Sequence, residues 1–110
     1  MDTLTPPEPY SRWENIKKGT IYKVWMAATD VDSEDRPEFV IYQLVTFSII
    51  EADIFTVCHS ENNKIGKVCN VPFSGDQWFI HWRDGVALSA PIAWARPLGI
   101  WYEKFRLISS

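Results

Sequence analysis

The sequence predicts a small, mainly β domain, either an antiparallel β-barrel or a strongly bent sheet, with one short helix after Pro97. Six or seven short segments rich in β-branched and aromatic residues follow one another closely, and turn-forming residues separate them. The helix is predicted because apolar residues after the proline recur at the spacing of one helical face, at Leu98, Trp101, Tyr102 and Phe105. The length of 110 residues suits one domain with a single core.

The β-domain is predicted to begin at residue 10. Residues 1–9 contain three of the seven prolines and little that could be buried, so we interpret them as a flexible arm. Residues 10–110 then form a single β-domain. Its first part, residues 11–19, is a basic lead-in that ends at a turn-forming glycine.

The first two full strands are predicted at residues 20–28 and 39–47, with a polar loop at 30–37 between them. The second of these segments is apolar on both faces, which indicates a strand in the middle of the sheet. Residues 48–53 fit either a continuation of this strand or a bend.

A hairpin is predicted next, with strands at residues 54–59 and 64–70 on either side of a cluster of turn-forming residues at 60–63. Its register decides how the two cysteines are placed. If the centre of the turn follows Asn63, Cys58 and Cys69 face each other directly. A bulge in the second strand, at the position of its glycine, would shift the register by one residue and put the cysteines on opposite faces.

Both cysteines are expected to be free thiols. The first residues are acidic and proline-rich, without the charged-then-apolar pattern of a signal peptide, so we expect a cytoplasmic protein. Thiols stay reduced in that compartment. No run approaches the roughly 18 apolar residues that span a membrane, so no membrane partner is expected.

A second hairpin is indicated by Asp84-Gly85, which favours a type I′ turn between β-like runs at 78–83 and 86–89. Residues 71–77 form the loop before it. If the two strands pair about this turn, large side chains lie opposite small ones, as is typical of side chains that pack in a core. We therefore place one face of the first run in the core, namely Trp78, Ile80 and Trp82. The opposite face of the hairpin carries Phe79, His81, Arg83, Val86 and Leu88.

The composition excludes one broad class of partner. Hydrophobic residues make up 46% of the chain and aromatic residues 15%, and the net charge is −3. A protein that binds DNA or RNA without sequence preference normally carries a basic field, so nonspecific nucleic-acid binding is not expected.

Neither a metal site nor a catalytic site is predicted. Sulfur and nitrogen atoms that can bind zinc are present in Cys58, His59, Cys69 and His81. These residues lack the close-paired spacing of a structural zinc site. Residues 30–35 start like a calcium loop but lack its glycine and its distal glutamate.

No hydrolase elbow, phosphate loop or metalloprotease motif occurs, so we expect no enzyme activity and no cofactor. A histidine and a cysteine could form a catalytic pair only if the tertiary fold brings them together, and the sequence does not show such proximity.

The densest aromatic segment, residues 94–105, holds the best candidate for a binding site. Trp94 and Arg96 are two apart, so they project to one face of an extended chain. Pro97 has no N–H group for pairing with a neighbouring strand, so it ends the strand pairing. It also restricts Arg96 to an extended conformation. Such a pair can be a structural cation–π contact. It can also bind a planar or anionic ligand, with the ring stacking and the guanidinium forking onto phosphate or carboxylate.

Other residues would complete such a site if the first strand lies alongside it. Basic side chains near the start of the domain would add positive charge, namely Arg12, Lys17, Lys18 and Lys23. The candidate ligand-binding set also includes Tyr42, His81 and Trp82.

Two segments resemble a family of short bacterial and phage proteins of unknown function. Residues 10–24 and 38–43 are similar to its opening, which reads roughly Y-x-H-Y-K-G-x-x-Y-x-V, an acidic loop and L-V-V-Y. The family ends in W-x-R-P-L-x-x-F, matched here by Trp94, Arg96, Pro97, Leu98 and Trp101. This chain differs in having Arg12-Trp13 at the aromatic-His position and about fifty extra residues in the middle. The resemblance implies a small β-fold and no particular chemistry.

Two classes of function remain after these exclusions, with an uncharacterised enzyme third. The first is a non-enzymatic binding module with an aromatic and arginine cleft for a small anionic or planar ligand, with a nucleotide as the leading example. The alternative is a small phage or mobile-element interaction or inhibitor protein that binds a protein partner through exposed aromatics in residues 73–82. A concave site favours the ligand, and a flat aromatic patch favours the protein. Exposed strand edges make a homodimer easy to build, so the oligomeric state stays open.

Overall fold

The computed structural model describes residues 4–47, 52–70, 77–82 and 91–110 of the chain. This part of the chain contains eight strands and one helix. In chain order they are β1 Arg12–Asn15, β2 Ile21–Asp30, β3 Glu38–Leu44, β4 Ile54–His59, β5 Ile65–Asn70, β6 Trp78–His81, β7 Ala93–Pro97, α1 Leu98–Lys104 and β8 Phe105–Ser109.

Six of the strands close into a barrel, which confirms the predicted small β-barrel. The strands follow the order β3-β7-β4-β5-β6-β2, and a further pairing of β2 with β3 closes the circle. Strands β1 and β8 continue outward from β2 as an extension of the sheet. Antiparallel pairing predominates, but β2 pairs with β6 and β4 pairs with β7 in parallel.

Strand β3 lies in the middle of the sheet, as its two-sided apolar pattern predicted. It pairs with β2 on one side and with β7 on the other. Phe39 and Ile41 point into the barrel, whereas Val40 and Tyr42 pack in a second core on its outside. Both faces are therefore buried.

The second core lies between the outer surface of the barrel and the layer made by β1, α1 and β8. Its largest side chains are aromatic, namely Trp13, Tyr22, Tyr42, Trp101 and Phe105. A bulge in β2 between Val24 and Met26 changes which residues face the barrel interior, because Val24 packs outside whereas Met26 and Ala28, which plain alternation would put on the same face as Val24, pack inside. The prediction of a single core is therefore wrong, because the described residues form two cores that share the buried aromatic rings.

The helix follows Pro97 as predicted and buries most of its predicted face. Leu98 and Trp101 are buried in α1, and Phe105 is buried at the start of β8. Tyr102 is instead 40% exposed, and its hydroxyl donates to the carbonyl of Thr5 near the N-terminus. Within the described residues no helix is both long and apolar enough to cross a membrane.

The hairpin of β4 and β5 has a different register from the two that the sequence suggested. Cys58 pairs with Ile65, and Cys69 pairs with Ile54, so the cysteines share a face but do not oppose each other. Both are free thiols. The turn is centred within residues 60–63, two residues earlier than expected, because Asn63 takes a left-handed conformation with φ of 61° that asparagine tolerates well.

The predicted inward face of β6 is confirmed. Ile80 and Trp82 are buried, and Trp78 packs against the barrel interior. The indole of Trp82 lies directly over Gly66 of β5. Several sequence predictions lie outside the described residues, namely the Asp84-Gly85 turn, its second strand, most of the loop at 71–77 and most of the segment at 48–53.

Candidate functional site

A cleft of about 190 Å³ opens where β7, the end of β3, the turn after β1 and the tip of the β4–β5 hairpin meet. One part of its lining is aromatic, formed by Tyr22, Tyr42, Trp94 and Phe105. The rest is mostly polar, formed by Asn15, Lys18, Cys58, His59, Ser60, Asn63 and Arg96. The cleft thus combines ring surfaces with cationic and hydrogen-bonding groups.

Strand alternation brings Trp94 and Arg96 to this cleft together, as predicted. In β7 the small residues Ala93 and Ala95 are buried in the barrel core, so the side chains between and after them project outward. Trp94 is the Cα partner of Tyr42 across the β3–β7 ladder. The register of β3 and β7 therefore sets the contact between Trp94 and Tyr42, two of the four rings that form the aromatic wall of the cleft.

The guanidinium of Arg96 is held by groups from three different elements. Its Nε donates to the hydroxyl of Tyr42 at 3.4 Å, and its Nη1 lies 2.6 Å from Oε1 of Glu61. Its Cζ lies 5.3 Å from the ring centroid of Phe105, a cation–π distance. The side chain is only 13% exposed, so these contacts and the surrounding packing restrict its movement.

Trp94 is the accessible ring of the aromatic wall. Its centroid lies 5.8 Å from that of Tyr22 and 5.9 Å from that of Tyr42, yet 37% of the residue is exposed. It also lines a larger, mainly apolar groove of about 640 Å³. Burial raises the pKa of Tyr42 above its ordinary value of 10.0, against the effect of Arg96, so its hydroxyl stays protonated at neutral pH.

Lys18 reaches the cleft because of the turn that follows β1. The buried side chain of Asn15 accepts the backbone N–H groups of Lys17 and Lys18 at 3.1 and 2.9 Å. Gly19 completes the turn with φ of 75°, a left-handed conformation that glycine adopts at no steric cost. This local geometry places Lys18, and not its neighbour Lys17, against the cleft.

His59 supports the tip of the β4–β5 hairpin. Its ring packs between Phe39 and Trp82, at centroid distances of 5.3 and 5.0 Å. Its Nδ1 accepts the backbone N–H of Glu61 at 3.1 Å, so the neutral ring carries its proton on Nε2. His59 therefore fixes the backbone of the residue whose carboxylate contacts Arg96.

The electrostatic surroundings keep His59 neutral. Burial lowers its pKa below the ordinary value of 6.5, and the charges of Lys64 and Arg96 lower the pKa further. Glu61 and Asp30 act in the opposite direction but do not overcome these effects. A neutral imidazole can keep accepting the N–H at its Nδ1.

Acidification should destabilise the fold through His59. Because its pKa is lower in the folded chain than in the unfolded chain, the unfolded state binds more protons between the folded pKa and about 6.5. Stability should therefore rise with pH through this window and be lowest below it. Urea midpoints measured at steps between about pH 5 and pH 7 should show a weaker pH dependence for His59→Gln than for wild type.

His81, the other histidine, was a predicted site residue but does not line the cleft, and its Nδ1 lies 3.6 Å from a carboxylate oxygen of Asp32. If His59→Gln titrates like wild type, His59 does not control stability in this range.

The remaining predicted site residues do not line the cleft. Arg12 and Lys23 are cross-strand partners on β1 and β2. Trp82 is buried in the barrel, and its backbone N–H donates to Asp32 at 3.0 Å. Sequence reasoning also missed lining residues that only the fold brings close, namely Asn15, Tyr22, Cys58, His59, Ser60, Asn63 and Phe105.

No obvious metal-binding constellation occurs in the described part of the chain. Its His, Cys, Asp and Glu side chains form no group of three that could hold an ion. Cys58 lines the cleft, whereas Cys69 pairs with Ile54 at the other end of the hairpin. Burial raises the pKa of Cys69.

Comparisons with protein-family models, curated proteins and solved structures find no match. The resemblance to the family with the W-x-R-P-L ending therefore stays a prediction. The geometry of the cleft carries the functional argument.

Proposed function

We propose that the protein is a non-enzymatic binding module whose cleft takes a small ligand that combines a planar ring with an anionic group, such as a nucleotide. The observation that supports this most directly is the position of Arg96. Its guanidinium is fixed at the cleft beside Trp94, whose ring is partly exposed. A guanidinium binds phosphate or carboxylate through several hydrogen bonds, and an indole face stacks on planar groups.

The size and charge of the cleft favour a small ligand. Sites for drug-sized molecules measure roughly 300–1,000 Å³. The volume of about 190 Å³ suits one ring with one anionic group better than a dinucleotide. Lys18 and Arg96 bring positive charge to the cleft, although Arg96 is paired with Glu61 and the whole chain carries a net charge of −3.

The shape of the site favours a small ligand over a protein partner. The candidate site is concave, and the described part of the aromatic segment at 73–82 does not form a flat exposed patch. Trp82 is buried, and Trp78 packs against the barrel core. These rings contribute to stability more than to a docking surface.

The geometry also gives catalysis little support. Cys58 lines the cleft, and His59 follows it directly in β4. The thiol of Cys58 lies 3.7 Å from the backbone carbonyl of His59, whereas the ring of His59 packs between Phe39 and Trp82, so the arrangement does not favour a nucleophile and base pair. A binding role needs only the fixed groups described above.

Arg96→Lys should weaken binding of a nucleotide such as adenosine 5′-monophosphate. The lysine keeps the positive charge but loses the planar fork, and a charged hydrogen bond contributes about 1–3 kcal/mol, or roughly 5–150-fold in affinity. Calorimetric titration of both proteins with a panel of nucleoside 5′-monophosphates measures this change. Thermal melts of the same samples show whether the variant is folded.

Arg106→Lys is the matched control, because Arg106 pairs with Glu14 on β1 and its side chain is 66% exposed. Its binding should equal that of wild type. If Arg96→Lys melts and binds like wild type, Arg96 has no role in recognition. If wild type binds no member of the panel, the proposed function is wrong.

A further inference from the structure

The guanidinium of Arg96 already holds an anion that belongs to the protein itself. Oε1 of Glu61 lies 2.6 Å from Nη1 of Arg96, the distance of a charge-assisted hydrogen bond. Glu61 comes from the turn between β4 and β5, so the contact bridges the hairpin tip to β7. Any anionic ligand that uses the same edge of the guanidinium must compete with this carboxylate.

We propose that Glu61 is an internal competitor for the site, and that the ligand which displaces it carries a phosphomonoester dianion. This inference rests on the proposed function. It assigns the class of anion, which the presence of an arginine alone does not do. It also makes Glu61 a determinant of specificity.

The two partners of this ion pair differ in their freedom to move. The side chain of Arg96 is 13% exposed and is packed against Phe105 and Tyr42, whereas that of Glu61 is 44% exposed. The backbone N–H of Glu61 donates to His59, which anchors the turn and leaves the carboxylate at the end of a flexible side chain. Displacement therefore needs a side-chain rotation and no rearrangement of the hairpin.

Charge decides which ligands displace Glu61. A ligand with a single carboxylate replaces one carboxylate by another and gains nothing from the exchange. Because Glu61 is tethered, its effective concentration at Arg96 is high, which puts such a ligand at a disadvantage. A phosphomonoester carries a charge of about −1.5 to −2 at pH 7 and three acceptor oxygens. Its oxygens can therefore accept hydrogen bonds from Arg96 and Lys18 together, because both residues line the same cleft.

The exposed ring of Trp94 adds a second requirement. It offers a stacking surface for a planar group next to the anion site. A phosphomonoester attached to a ring should therefore bind more tightly than inorganic phosphate. A planar monocarboxylate such as benzoate should bind poorly to wild type.

The experiment is a calorimetric titration of wild type and Glu61→Gln with adenosine 5′-monophosphate, adenosine, inorganic phosphate and benzoate. Removal of the competitor should tighten binding of the monophosphate by about fivefold or more, within the usual range of coupling between sites. Binding of benzoate should become measurable, so that selectivity for phosphate over carboxylate falls. Glu103→Gln, at an exposed helix position, should behave like wild type.

Glu61→Gln is expected to fold, because an exposed ion pair contributes little to stability. If the variant binds the monophosphate no more tightly than wild type, Glu61 is not a competitor. The proposed function still stands in that case, provided that Arg96→Lys weakens binding. If wild type binds benzoate as tightly as the monophosphate, the assignment of a dianion is wrong. If neither protein binds any of the four probes, both the inference and the proposed function are wrong.

Discussion

Replacing Trp101 with alanine should lower the free energy of unfolding by about 3–5 kcal/mol, the usual cost of removing a large buried aromatic ring. Trp101 is fully buried and stacks on Phe105 with a centroid distance of 3.9 Å. Its ring also lies 5.0 Å from Tyr42 and 5.7 Å from Trp13, so it joins the helix to β1, β3 and β8. Denaturant unfolding with linear extrapolation measures the loss.

Two comparison variants separate burial from other effects of this change. Trp94→Ala removes a ring that is 37% exposed and should cost much less than Trp101→Ala. Trp101→Phe keeps an aromatic ring and removes an indole N–H that has no hydrogen-bond partner among the described residues, so it should also cost less. If Trp101→Ala unfolds no more easily than Trp94→Ala, the second core does not hold the helix.

Gly66→Ala should destabilise the barrel by about 1–3 kcal/mol, the usual cost of overpacking a core. A Cβ at this position would lie 2.6 Å from Cε3 and 2.7 Å from Cζ3 of Trp82, so the indole would have to move within a packed interior. Denaturant unfolding again measures the change. Trp82→Leu in the same chain should relieve part of the loss, with a coupling of about 0.5 kcal/mol or more.

Gly99→Ala provides the matched control for this substitution. Gly99 lies in α1, and apart from its chain neighbours and the backbone of the helix itself no described atom lies within 4 Å of the position that its Cβ would take. An alanine there should stabilise the helix by about 0.5–1 kcal/mol. If both glycine variants change stability by the same amount, contact with Trp82 is not the cause of the effect at Gly66.

Local patterns in the sequence predicted the strands well, because most strands here carry their own signal. The two-sided apolar run that became β3 and the proline-then-helix segment at Pro97 are examples. Closure of the barrel was not predictable in this way. It depends on parallel contacts such as Ala28 with Trp78 and Val57 with Ala93, which join residues far apart and carry no turn signal.

The register of the cysteine hairpin shows a different limit of sequence reasoning. The cluster at residues 60–63 correctly indicated a turn, but several turn centres fit such a cluster. The left-handed conformation of Asn63 and the backbone bond from the N–H of His59 to the carbonyl of Lys64 at 2.7 Å settle the centre. The cysteines then take partners that neither predicted register gave them.

The site could be predicted only where one strand supplies it. Trp94 and Arg96 follow from alternation in a single strand. Lys18 was predicted only as one of several basic residues, because its place at the cleft depends on how the turn after β1 packs against the barrel. Glu61 reaches Arg96 because β4 and β7 pair in parallel, so the partner of the central arginine was missed.

The closed circle of strands has a consequence for the order in which the chain can fold during synthesis. The β2–β3 pairing forms between neighbouring segments, but the seams that complete the barrel use β6 and β7, near the end of the chain. Until those residues leave the ribosome, β3 and β4 each lack the neighbour that will cover one edge. Topologies dominated by such distant pairings fold in milliseconds to seconds, and open edges pair readily with other chains. The open edges of β3 and β4 should therefore favour aggregation between the synthesis of these strands and the arrival of β7.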